Sequence, residues 1–399
     1  MRQIGSNLYA LKQLILKSGR ERSILNRHPW IFSGAVKTLP KAENGDIVSV
    51  HTNHGELLGF GFFSPNSQIT CRLFEFGSDQ IELDENYWKS KLKNAFALRK
   101  LLITAQTDCY RLLHAEGDFF PGIITDIYGE VAVIQLLIKG TERISPIIFE
   151  GLKELGFKYI YVKTKQSTQL LEQVEEGSRW IGETCPMPIV VKEYGVLFSV
   201  NVETGQKTGF FLDQRENRKL VGAWSDGKNV LNTFSYSGGF SLYALEAGAA
   251  LVHSVDSSKD AIGLCEDNVA LGKWKGKHES FIEDCFEFLK KAPTDFYDII
   301  ILDPPAFAKN ARSVDNAARG YKNLNILGLD RVKKGGLVFT YSCSQHIDKD
   351  LFRKIVFSAA AETRRNVRIL RQLSQPDDHP INIYHPEGEY LKGLMLYVD

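Results

Sequence analysis

Two side chains able to do covalent or proton chemistry sit at the ends of neighbouring apolar runs in the second half of the sequence. The run IIILDPPAF delivers Asp303 and two prolines, and the run LVFTYSCS delivers Cys343. An Asp-Pro-Pro stretch is stiff, so its carboxylate and carbonyls can grip the planar edge of a base or an amine. Read blandly, it is a rigid turn with a capping Asp. A thiolate at Cys343 can add to C6 of a pyrimidine, which turns C5 into a carbon nucleophilic enough to be methylated; read blandly, the cysteine is small buried filler. A free thiol titrates near ~8.5, so a catalytic one needs surroundings that favour its thiolate. Asp303 would hold the N3 and N4 edge of a cytosine while the ring gains electrons. A base must then remove the C5 proton, and the residues do not identify it.

A second group of residues suits a nucleoside. The strand NVLNTF runs into SYSGGFSLYALEAGA, a glycine turn opening a helix, where backbone can approach a ligand closely. Gly238 and Gly239 lack the GxGxxG spacing of a pyrophosphate cradle, which disfavours a nicotinamide oxidoreductase. Asp256, in VHSVDSS about 20 residues further on, is placed to bind both ribose hydroxyls of an adenosine, or else caps the following helix. Asp284, in IEDC, fits an acidic third-strand position that meets adenine and is equally suited to N-capping.

The elements that must position these residues are legible from periodicity. Beyond a strand pair around Gly195, the runs NVLNTF, LVHSVD, DIIILDPP, LVFTYSCS, VRILRQL and LMLYV alternate with helical stretches, which predicts a parallel α/β sheet. In such sheets ligands lie at the carboxyl ends of the strands. The last two runs lie too close for a crossover helix and predict an antiparallel closing hairpin. Upstream, DIVSVH, LLGFGFF and ITCRLFEF predict a small β-barrel. DENYWKSKLKNAFALRKLL switches to helical period, with Tyr87, Leu92, Phe96 and Leu98 as its buried stripe. EGDFFPGIITDIYGEVAVIQLLI reads as a hairpin joined at Gly129, followed by a helix around Ile144 to Leu155 and the strand KYIYVKT, while EQVEEGSRWIGETCPMP reads as a linker. Three domains result: 1–76 barrel, 77–187 central α+β, 188–399 α/β sheet.

Composition narrows the setting. The 399 residues carry 49 Lys plus Arg against 48 Asp plus Glu, a formal charge of +1, so any polyanion-binding surface is local. Local basic clusters occur at Arg20, Arg22, Arg27 and His28, at Lys273, Lys275 and Lys277, and at Arg364, Arg365, Arg368 and Arg371; each alone also suits a solvated face. The six cysteines are scattered without a CxxC, which argues against zinc and against a disulfide framework. The N-terminus is too polar for a signal peptide and no apolar run reaches the ~20 residues of a membrane span. A reducing cytoplasm is the expected setting.

The motifs together closely resemble the large-subunit ribosomal RNA methyltransferase I family over nearly the whole chain. LILKSGRERSILNRHPWIFSGAV and SPNSQITCRLF resemble that family's N-terminal PUA domain, an RNA-binding pseudobarrel, and EGDFFPGIITDIYG its central domain. TGFFLDQRENR, NTFSYSGGFSLYALEAGA, VDSSKDAI, LDPPAFAK, RGYKNLN, YSCSQHI and HPEGEYLKGL resemble successive motifs of its catalytic domain. The resemblance implies a Rossmann-like class I methyltransferase sheet, S-adenosyl-L-methionine as cofactor, and 5-methylcytosine in 23S rRNA as product. It implies cofactor contacts from Phe211, Gln214, Ser235, Tyr236, Ser237, Gly238, Asp256, Ser257, Asp284, Cys285 and Asp303, with Cys343 as the nucleophile. Where nucleotide methyltransferases commonly carry [DN]-P-P-[FYW], this chain has Ala306 before Phe307. Another branch of RNA cytosine methyltransferases places a releasing cysteine at the position of Ala306, so the single-cysteine type is implied. In a PUA-like module Arg20, Arg22, Arg27 and Trp30 would meet phosphates and a base face, and the resemblance leaves room for a homodimer. The competing readings are methylation of another base, such as guanine N7, which needs no Cys343, and a non-catalytic RNA-binding assembly factor.

Overall fold

The structure is a computed structural model that describes residues 11–77, 81–164, 172–174, 177–308 and 310–399. The chain divides into two compact units, the first of residues 1–191, 200–210 and 377–388, the second of residues 192–199, 211–376 and 389–399.

The first unit begins with the short strands expected of the N-terminal run. β1 (Gln13–Leu16), β2 (Trp30–Phe32), β3 (Val36–Thr38), β4 (Ile47–His51), β5 (Leu57–Phe63) and β6 (Ile69–Phe76) form a sheet of order β2-β6-β5-β4-β1-β3. All pairs are antiparallel except β1 with β4. Leu14, Leu16, Ile31, Val48, Val50 and Leu73 bury the apolar face. Next come β7 (Cys109–His114), β8 (Ile123–Tyr128), β9 (Val131–Leu136), β10 (Tyr159–Val162) and β11 (Arg179–Trp180), in order β11-β10-β9-β8-β7. β8 and β9 make the expected hairpin through Gly129, and the expected helix after it spans Lys139–Glu154.

Two expectations in this unit need correction. The helix Glu85–Leu102 buries Trp88, Leu92, Ala95 and Arg99, while Tyr87 and Phe96 are half-buried and Leu98 is exposed. The buried stripe is therefore rotated onto an arginine. Arg99 tolerates burial because its guanidinium is bidentate to Asp118 and also bonds the Arg111 and Asp378 carbonyls. The supposed linker lies partly outside the described residues, but Arg179–Trp180 pairs with β10 as a strand, fixed by Trp180 against the Tyr161 ring at 4.9 Å and by its indole bond to Glu203.

Segments 200–210 and 377–388 belong to this unit through buried polar bonds. Thr208 bonds the Tyr128 hydroxyl and the Asp126 carboxylate, itself paired with Arg111, and Asp378 accepts from the Arg111 amide.

The hairpin of β12 (Ile189–Glu193) and β13 (Val196–Val200) turns at Gly195 as expected. The second unit is built on β14 (Asn229–Thr233), β15 (Leu251–Asp256), β16 (Lys277–Ile282), β17 (Tyr297–Leu302), β18 (Val332–Ser342), β19 (Val367–Ser374) and β20 (Lys392–Val398). Their order is β16-β15-β14-β17-β18-β20-β19, with β20 antiparallel to both neighbours and the rest parallel. The order in which the chain adds strands reverses between β14 and β17, the switch point where ligands bind in doubly wound sheets. This is the Rossmann-like sheet that the resemblance implied. The β19–β20 pair is antiparallel as expected, although its connection is long enough to place residues 377–388 with the first unit.

Candidate active site

All the catalytic and cofactor residues expected from the sequence fall in the second unit, most of them just past the carboxyl ends of β14 to β18. The strand order makes this convergence unavoidable, because parallel strands lie ~4.8 Å apart and deliver their last residues to one edge.

The turn after β14 is held in a conformation that few side chains favour. Phe234 and Tyr236 have positive φ of 54° and 45°, and Gly238 follows at 78° as the residue before the helix Gly239–Glu246. A Cβ on Gly238 would sit 2.5 Å from the Cys265 sulfur, so only glycine fits. The turn is pinned on three sides: the Ser235 amide donates to Val255, the Tyr236 amide to the Asp256 carboxylate, and Asn268 donates to the Ser237 carbonyl. Positive φ at two aromatic residues is a backbone cost that these bonds hold in place.

Asp256 does not cap the helix after it. Ser258 does, accepting from the Ala261 amide, while the two Asp256 oxygens accept one amide each, from Tyr236 and Ser258. A carboxylate has about four acceptor sites, so capacity remains for a pair of hydroxyls. Ser257 beside it is exposed. Asp284 does cap its helix, Cys285–Lys291, accepting from the Phe286 and Glu287 amides through one oxygen and leaving the other. Cys285 is buried, its thiol accepting from the Phe234 amide and donating to the Val255 carbonyl; burial pushes it up to about 12, so the side chain is a brace.

Upstream of β14, the helix Arg215–Gly222 and the short turn before it supply four further groups. The Phe211 ring meets Tyr236 edge-on at 5.2 Å. The Gln214 amide donates to Asp303, and Asn217 donates to Gln214, a relay that aims the carboxylate. Arg218, buried, forms a bidentate pair with the equally buried Glu193 and donates to the Phe211 carbonyl. Asn217, Arg218 and Glu193 lie outside the residues selected from sequence; Asn217 and Arg218 fall inside the segment TGFFLDQRENR, but nothing local assigned them a role.

These groups suit S-adenosylmethionine. Ser235 presents a buried hydroxyl without a hydrogen-bond partner among the described residues, and Asp256, at the end of the second strand, keeps acceptor capacity beyond its two amide bonds.

Cys343 leaves β18 half-buried, between Ser342 and Ser344, both fully buried. Ser344 ties three elements together: its hydroxyl accepts from the Ala308 amide in the Asp-Pro-Pro loop and shares a proton with Tyr321. The Tyr321 ring packs on Phe307 at 4.6 Å. The loops carrying Asp303 and Cys343 are thus clamped side by side. Leu302 pairs with Thr340, so Asp303 and Cys343 leave adjacent parallel strands within a residue or two of one another. Tyr321 and Lys392 lie in RGYKNLN and HPEGEYLKGL, motifs without an assigned role at the level of sequence.

In the first unit Arg20, Arg22 and Arg27 are exposed. The Arg27 guanidinium lies over Phe76 and Tyr384, at 5.1 and 5.6 Å. Trp30 is half-buried, its indole donating to Glu116 at 2.8 Å and its ring 4.4 Å from His385, so it is a packed aromatic. Among the described residues no group of His, Cys, Asp and Glu is arranged to hold a metal, and no helix is long and apolar enough to cross a membrane.

Comparison with known proteins agrees with this fold. Residues 14–76 match the family model of the PUA-like domain, and residues 159–380 that of the S-adenosylmethionine-dependent methyltransferase. The chain is 38% identical over 392 residues to a ribosomal RNA large subunit methyltransferase I of Alteromonas mediterranea, covering 97% of this chain and 98% of that one. It is 39% identical over 394 residues to the protein of that name from Shewanella frigidimarina, covering 96% and 98%. Among solved structures, a methyltransferase complexed with SAH superposes with a TM-score of 0.83 at 25% identity, covering 97% of this chain and all of that one.

Proposed function

Because the chain belongs to the ribosomal RNA large subunit methyltransferase I family, we propose that it methylates C5 of a cytosine in 23S rRNA through a covalent adduct at Cys343. The observation that carries the reading is the pairing of a half-buried cysteine at the end of β18 with a carboxylate at the end of the adjacent β17.

The Cys343 thiolate adds to C6 of the target cytosine, forming an S–C6 bond and moving the C5–C6 π electrons toward C5 and the ring nitrogen. Asp303, oriented by Gln214 and Asn217, holds the amino edge of the ring and keeps C5 facing the cofactor side of the sheet. S-adenosylmethionine supplies the electrophilic methyl group, whose transfer to C5 releases a neutral thioether. Loss of the C5 proton to a base then returns the S–C6 electrons to Cys343, and the thiolate departs.

Phe211, Gln214, Ser235, Tyr236, Ser237, Gly238, Asp256, Ser257, Asp284, Cys285 and Asp303 form the cofactor side in this proposal, Cys285 through its backbone alone. Arg20, Arg22, Arg27 and Trp30 receive the RNA on the PUA-like domain, the arginines by pairing with phosphates.

Cys343→Ala should abolish methyl transfer to 23S rRNA while leaving S-adenosylmethionine binding by calorimetry intact. Bisulfite mapping of 23S rRNA from cells with and without the gene should reveal one cytosine protected only when the gene is present. Full activity in the Cys343→Ala protein would remove the covalent step.

A further inference from the structure

The relay through Gln214 orients Asp303, but it does nothing to make Cys343 a thiolate. Lys392 opens β20, paired in register with Ser342, the residue before the cysteine. It is buried at 4% exposure, and its ammonium donates to the carbonyls of Ser344 and Ile347, each at 2.6 Å. Both carbonyls belong to the turn that Cys343 opens. Among the described residues no carboxylate forms an ion pair with Lys392. A buried ammonium solvated by neutral carbonyls alone is costly, and it is stabilised by an anion arriving nearby.

We infer that Lys392 is the positioning residue that holds Cys343 as the thiolate, its ammonium fixed against the turn so that one positive charge faces the sulfur. The inference rests on Cys343 being the nucleophile. The charges around the pair favour it. Burial pushes Lys392 down to about 8, and Cys343 is the strongest charge acting to retain its proton, ahead of Asp348 and Glu389. Coupling of this kind is reciprocal: a thiolate that raises the lysine is favoured to the same extent by the lysinium. Glu389 is largely committed to Lys349, whose charge opposes that of Lys392. The Tyr321 hydroxyl also feels Cys343, and its own proton is held by burial and shared with Ser344, so it stays neutral and adds no second negative charge beside the thiolate. The thiol proton goes to solvent, and Lys392 keeps its own below pH ~8.

The test follows alkylation of Cys343 in the full-length protein with iodoacetamide from pH 5.5 to 10, read by mass spectrometry of the peptide that contains it. The wild-type rate should rise with an apparent pKa below the ~8.5 of a free thiol. In Lys392→Met that pKa should climb by a unit or more, slowing alkylation at pH 7 by about tenfold, with the rate at the alkaline plateau unchanged. Lys392→Arg should keep the wild-type profile. Unaltered S-adenosylmethionine affinity reports that the variants are folded. A wild-type profile with an apparent pKa at or above that of a free thiol overturns the inference whatever the variants do, as does a folded Lys392→Met with the wild-type profile. Alkylation needs neither RNA nor methyl transfer, so a failure of the cytosine reading appears separately, as retained methylation by Cys343→Ala.

Discussion

Replacing Gly238 with alanine tests whether the turn after β14 depends on a residue without a side chain. Gly238 sits at φ 78°, and a left-handed L-residue costs roughly 1 to 2 kcal/mol. The added Cβ would stand 2.5 Å from the Cys265 sulfur and 3.3 Å from a Leu242 methyl. Cys265 is fully buried and cannot swing aside, so the overlap costs about a further 1 to 3 kcal/mol. The total, about 2 to 5 kcal/mol by these figures, is taken either from stability or, if the turn shifts to relieve it, from the cofactor site. Urea unfolding and calorimetric titration with S-adenosylmethionine read the two routes separately. The expected result is a lower unfolding midpoint together with affinity weakened at least about tenfold, or ~1.4 kcal/mol. Repeating the substitution in a Cys265→Ala background separates the two causes, because the clash disappears and the backbone cost does not. The penalty should shrink there by about 1 to 3 kcal/mol. Unchanged stability and affinity in Gly238→Ala, or an equal penalty in both backgrounds, would refute the reasoning.

Other perturbations follow from the same structure. Arg218→Met strands the fully buried Glu193 and should destabilise the protein by about 3 to 5 kcal/mol in thermal unfolding, with part recovered when Glu193→Gln is added. Burial and the neighbouring Arg111 hold the His114 imidazole well below its usual range, so the unfolded chain binds a proton that the native chain refuses. Stability should therefore fall as pH drops below ~6.5, by at most ~1.4 kcal/mol per pH unit for this group, and His114→Gln should flatten that slope in urea unfolding series. Changing Arg20, Arg22 and Arg27 to Gln should lower RNA affinity and reduce the log–log salt slope by roughly 0.7 to 0.9 for each phosphate no longer neutralised; an unaltered slope would remove them from the interface.

The fold was largely legible because the apolar runs keep their period. IIILDPP and LVFTYSCS end where the sheet ends, so the placement of Asp303 and Cys343 at its carboxyl edge is recognisable from sequence; the last two runs do pair antiparallel, but across a long connection between Ser374 and Lys392 and not the short interval expected. What escaped depends on partners far apart in the chain. Arg99 looks like a solvated helix residue until Asp118 and the Asp378 carbonyl, 279 residues away, are seen to satisfy it; the apolar pattern alone points to Leu98 instead. Glu193 and Arg218 are 25 residues apart on different elements, and each alone reads as surface charge. Lys392 begins a strand and reads as an ordinary edge cation, yet register with Ser342 carries it under the cysteine turn. The ambiguity at Asp256 was between two local roles, and the structure resolves the capping role in favour of Ser258.

The covalent adduct itself is the most direct measurement. Incubating the protein and S-adenosylmethionine with a 23S rRNA fragment carrying 5-fluorocytosine blocks the last step, since fluorine cannot leave as the proton does. The covalent mechanism predicts a protein–RNA complex stable to denaturation, with the nucleotide attached at Cys343 by mass spectrometry and absent in Cys343→Ala. Active enzyme that methylates unmodified RNA yet traps no adduct, or traps one at another residue, would contradict it.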